Sequence, residues 1–124
     1  MAEIQESHVK ANVPAAPEFD SLLKHEIFSY LSTAGFKGDT VTVDLLRRGP
    51  TQSGVSWPKY YVWIQLMKGN QPVVAGAARV AAIDQQRFEV TDFVTARQIK
   101  KDPRKVAQIF PAALVAAIKA RAKL

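Results

Sequence analysis

Apolar residues recur at helical spacing near both ends of the chain and at strand spacing between them. From Glu18 to Ala34, Phe19, Leu22, Leu23, Ile27, Tyr30, Leu31 and Ala34 form one stripe at i, i+3 and i+4. This predicts a helix. Pro17 suits its first turn, Asp20 complements the positive end of its dipole, and Gly35 stops it. Thr40 to Arg48 alternates instead, with Val41, Val43 and Leu45 on one face and Thr42, Asp44 and Leu46 on the other. That is the pattern of a half-buried strand.

Tyr60 to Lys68 breaks the alternation. Tyr60, Val62, Ile64 and Leu66 share one face, and Tyr61, Trp63, Gln65 and Met67 share the other. Both faces are largely apolar, so neither is made for water. Gly69-Asn70 then marks a short hairpin. The segment Val73–Ile83 has the alanine content of a helix, but its valines, its Gly76 and the preceding turn predict a third strand with small side chains. Asp84–Gln86 makes a turn. Arg87 to Ala96 reads as a fourth strand, with Phe88, Val90, Asp92, Val94 and Ala96 on one face. Asp102-Pro103 resembles a helix start, with Asp as N-cap and Pro at the first position. The stripe Val106, Ile109, Phe110, Ala113, Leu114, Ala117, Ile118 continues past Pro111, which predicts a break there and a second helix to about Lys123.

These elements give an α+β fold of order α-β-β-β-β-α. A four-stranded antiparallel meander packs on the N-terminal helix, and a kinked C-terminal helix follows. Residues 1–17 read as a flexible tail and 18–124 as one domain. From Glu18 to Ala96, one helix against a curved sheet resembles the cystatin-like architecture that the nuclear transport factor 2-like superfamily shares. The likeness implies a sheet that grasps the helix. The phrases GPTQSGVSWPKYYVW, GAARVAAI and RFEVTDF are also similar to those of small uncharacterised bacterial proteins.

Composition narrows the chemistry. Hydrophobic content is 48% and charged content 23%, which is ordinary for a globular chain. The chain has no Cys, which excludes a disulfide framework, a thiolate zinc site and a thiol nucleophile. No apolar run is long enough to span a bilayer. The N-terminus lacks the apolar core of a secretory signal, and the ANVPAAP stretch fits a loose tail or the lead-in after a cleaved signal. A cytoplasmic and a periplasmic location therefore both stay open.

No catalytic constellation stands out. His8 lies in the tail and His25 beside the helical stripe, without further ligands at metal-binding spacing. Neither Ser53 nor Ser56 sits in a nucleophile elbow. No cofactor is implied. Asp44 and Asp92 lie within strands, so an enzyme reading would place one of them at the base of a pocket. Arg79, flanked by small residues, is the natural partner of Asp92.

Charge is concentrated at the C-terminus. Residues 97–124 carry a net +7 of the total +6, leaving −1 for the rest. Lys100, Lys101, Arg104 and Lys105 form an anion-binding candidate. With helix–strand order before them, they resemble the lysines with which double-stranded-RNA-binding domains grip phosphates. Pro103 and Pro111 interrupt that pattern, so nucleic acid is the lesser of the partner readings. The leading expectation is a non-catalytic binding module. Its second sheet face, with Tyr61, Trp63, Gln65 and Met67, has three possible covers: the kinked C-terminal helix, a second subunit in a homodimer, or a small apolar ligand, for which Gln65, Arg79 and Asp92 would be the polar groups. The binding-module reading takes the second or the third.

Overall fold

The structure is a computed structural model that describes residues 16–47, 50–51, 57–83 and 87–122. His8 and the rest of the expected tail up to residue 15, Ser53, Ser56 and the Asp84–Gln86 turn lie outside the described residues. The elements are α1 (Ala16–Thr33), β1 (Thr40–Leu45), β2 (Lys59–Lys68), β3 (Gln71–Ile83), β4 (Arg87–Thr95), α2 (Ala96–Lys101), α3 (Arg104–Ile109) and α4 (Ala112–Arg121). The α-β-β-β-β-α order is the one that the hydrophobic pattern predicts, with the C-terminal helix divided in three.

Helix α1 ends on Gly35, whose φ of 98° is in the left-handed region. The Phe36 amide donates to the Leu31 carbonyl at 2.9 Å and the Gly35 amide to that of Ser32 at 3.1 Å. This pair of bonds closes the last turn in a Schellman arrangement. The buried stripe Leu23, Ile27 and Leu31 packs on Tyr60, Val62, Ile64 and Leu66 of β2, on Ala78, Val80 and Ala82 of β3, and on Phe88 of β4. Phe19 seats its ring edge-on between Tyr60 and Phe88, with centroids 5.0 and 5.1 Å away.

The four strands pair antiparallel in the order β1-β2-β3-β4. Val73–Ile83 is strand rather than helix, as its turn signals imply. Its Gly76 is required by close approach, since a Cβ there would collide with the Val94 carbonyl and the Phe93 ring. Strict alternation fails in β4. The register passes from Arg79↔Asp92 to Val80↔Val90, so Thr91 is an extra residue. The bulge flips the strand. Phe88 and Val90 pack toward α1, while Val94 packs on the opposite face. The expected grouping of Phe88, Val90, Asp92, Val94 and Ala96 is corrected accordingly.

The C-terminal segment also starts earlier than Asp102. Thr95 caps α2: its hydroxyl accepts from the Gln98 amide at 3.1 Å, and the Gln98 side chain accepts from the Thr95 amide at 2.9 Å. Asp102 is therefore the C-cap of α2 and not an N-cap, and Pro103 takes the N-cap position of α3. Phe110 and Pro111 are extended, which makes the expected break. Across that break Val106, Phe110, Leu114, Ile118 and Ala122 stay buried. Ala113 and Ala117, expected in the same stripe, face outward.

Candidate functional site

The second face of the sheet has a closed end and an open end. At the closed end, Tyr61 and Trp63 of β2, Ala77 of β3 and Val94 of β4 lie beneath Ile99, Val106, Phe110, Leu114 and Ile118. Trp63 is only 7% exposed. The Phe110 ring meets Tyr61 edge-on at 5.9 Å, and the Tyr61 hydroxyl reaches that of Thr51 at 2.8 Å. Of the three possible covers, the C-terminal helices are the one that lies over Tyr61 and Trp63, so these two residues are corrected as candidates for a partner or ligand contact. Helices α2–α4 occupy that area, because burying their apolar stripe and this sheet face together removes both from water.

The strand carboxylates are held in ion pairs at the surface. Arg79 pairs with Asp92 across β3 and β4. The Arg79 Nε donates to the Thr91 hydroxyl at 3.0 Å, and that hydroxyl lies 3.0 Å from the Asp92 carboxylate, so the bulge residue ties the pair together. Asp44 accepts from Arg121 of α4 at 2.9 Å, with both side chains well exposed. Asp44 and Asp92 sit on opposite outer strands with two strands between, roughly 14 Å apart across the sheet. They do not converge for acid–base chemistry. Among the described residues no group of three His, Asp or Glu side chains is placed to hold a metal ion. No described helix is long and apolar enough to cross a membrane.

At the open end the helical cover stops. Gln65 is exposed, Met67 half-buried, and neither contributes to the packed cluster under the helices. Here β3 outruns β4: the β3–β4 register begins at Gly76↔Thr95, so Gln71–Ala75 has no β4 partner. The chain turns away at Thr95 into α2 because of the capping box. The overhang and α2 bound an open groove of about 620 Å³, lined by Phe36, Pro72–Ala75 and Thr95–Gln98. Its walls are mainly apolar, and Thr95, Arg97 and Gln98 supply the polar groups.

The groove residues escaped the sequence pattern, although two signals for them exist. Thr95-Ala-Arg-Gln98 is a capping-box spacing, and the run of strand residues before Asp84 is longer than the run after Gln86. Beside the groove, Gln98, Lys101, Asp102, Arg104 and Lys105 line a smaller cleft of about 470 Å³ at the α2–α3 elbow. Lys100, Lys101, Arg104 and Lys105 are all exposed there, and Arg104 pairs with Asp102 at 3.4 Å. No family model, curated protein or solved structure matches this chain.

Proposed function

We propose that the protein is a non-catalytic binding module, and that it takes a ligand with an apolar body and an anionic end in the groove between the β3 overhang and α2. The groove carries this reading. Small-molecule sites are commonly ~300–1,000 Å³, mostly apolar, with a few placed polar groups. A groove of about 620 Å³ with Val73, Val74 and Ala75 on one wall and Arg97 at the rim fits that description. The groove lies at the unpaired edge of β3, and none of Tyr61, Trp63, Gln65, Met67, Arg79 and Asp92 lines it, so the ligand reading moves away from those residues. The element-order likeness to the cystatin-like architecture supplies no ligand of its own.

A titration with a long-chain fatty acid and with the matching alcohol tests the reading by amide shifts. Both ligands should move the Val73–Ala75 and Thr95–Gln98 resonances, and Arg97→Ala should weaken the acid and leave the alcohol unchanged. No shift at these amides under saturating ligand would refute it.

The charge of the elbow favours a second reading, contact with a polyanion. Five cations between Arg97 and Lys105 face a single acid. Such binding would be non-specific and would weaken steeply with salt. Absence of retardation on RNA or DNA at low salt would end it.

A further inference from the structure

The two outer edges of the sheet are built differently. β4 carries the devices that discourage pairing with another chain: charged Arg87, Glu89 and Asp92, and the bulge at Thr91. β1 has no bulge and a single charge, Asp44, which Arg121 of α4 engages. It reads TVTVDL, rich in β-branched residues, without Pro, Lys or Gly. Its register with β2 runs unbroken from Thr40↔Met67 to Leu45↔Val62. Among the described residues, β2 is its only strand neighbour. Leu45, at its end, is 42% exposed.

The direction of the free backbone groups follows from one bond. The Leu46 amide donates to the Tyr61 carbonyl at 2.8 Å. By antiparallel alternation, Thr42 and Asp44 also point their backbone groups at β2. Val41, Val43 and Leu45 therefore point theirs outward, at the free edge.

We infer that β1 pairs antiparallel with β1 of a second copy of this chain, joining two four-stranded sheets across a two-fold axis. Placing Val43 opposite Val43 of the copy matches every outward residue, with Val41 opposite Leu45 on both sides. That exchanges six backbone hydrogen bonds. Registers two residues away leave Val41 or Leu45 unmatched. The same register brings Arg47, just after β1, near Asp39, just before it, once at each end. The Asp39 amide donates to the Met67 carbonyl at 2.7 Å and its Oδ2 accepts from the Gly69 amide at 2.9 Å, which leaves Oδ1 for the copy's Arg47. The register also sets Thr42 opposite Asp44. The edge is thus self-complementary in hydrogen bonding, in apolar pairing and in charge, which is what an isologous contact needs. The inference is independent of the groove.

Sedimentation or light scattering from micromolar to millimolar protein is the test, paired with amide exchange. A dimer should form on concentration, and the Val41, Val43 and Leu45 amides should gain protection with it. Val43→Pro should abolish association and leave the monomer folded by circular dichroism, because the lost N–H faces outward. Arg47→Asp places like charges at both ends and should weaken the dimer roughly tenfold. Adding Asp39→Arg should restore it, which a merely structural role for Arg47 would not produce. A chain that stays monomeric throughout overturns the inference. So does a dimer indifferent to both Val43→Pro and Arg47→Asp.

Discussion

Trp63 and Gln65 are two residues apart on the same face of β2, yet one is buried beneath three helices and the other is exposed. The difference lies in their surroundings. Trp63 stands in a row with Ala77 and Val94, small residues that let the helices settle closely. Gln65 stands in a row with Ala75, beyond which β4 has ended and the chain has turned into α2. A strand that is apolar on both faces needs two covers, and the second cover extends only as far as the apolar row supports it. Where it stops, it leaves a groove.

The largest effects should separate those two positions. Trp63→Ala removes a large side chain from the closed end and should cost about 3–5 kcal/mol by chemical denaturation. Gln65→Ala should stay within about 0.5 kcal/mol of the parent. Equal losses would mean that the two ends are alike. Gly76→Val, in the row between them, should cost at least ~1–3 kcal/mol, since a side chain there meets Val94 backbone. A stable Gly76→Val variant would show that the strands are further apart than described.

Smaller effects belong to the rim. Asp44→Asn breaks the Arg121 pair that ties α4 to β1, but both partners are well exposed and solvent screens them. The loss should be ~0–1 kcal/mol and should shrink in high salt. The smallest effect at neutral pH is that of the Tyr60 phenol. Burial raises its pKa above the ordinary 10.0. The neutral form is then favoured by folding, so its contribution is intact below pH 10 and lost as pH rises through the folded value. Lys59 has the opposite sign. Desolvation, and then the Arg79 charge, lower its pKa, so stability rises with pH between its folded and unfolded values. Tyr60→Phe should therefore flatten the alkaline fall in melting temperature and change little at pH 7. An unchanged alkaline profile would contradict the Tyr60 assignment.

The regular parts of the molecule were legible in the pattern. Helix α1, the Gly69 hairpin, the strand reading of Val73–Ile83 and the break at Pro111 all follow from spacing, turn residues and a missing N–H. Thr91 defeats alternation because a bulge inserts one residue without any signature in local composition. The α2 start was hidden because Arg87–Ala96 continues a plausible strand up to the cap at Thr95. The pairing of Arg79 with Asp92 could be anticipated from two charges among small and apolar neighbours. The groove was signalled only indirectly, by the unequal strand runs and the Thr95–Gln98 spacing, because its second wall is a helix whose placement local pattern does not fix.

The central claim is that the chain closes the Trp63 end of its own sheet. Acrylamide quenching of a Trp57→Phe variant tests it, since Trp57 is exposed and Trp63 then reports alone. The account predicts blue-shifted emission and weak quenching that persist on dilution to a monomeric sample. Quenching as rapid as that of a free indole, or protection that disappears on dilution, would show that another chain, not the helices α2–α4, covers this face.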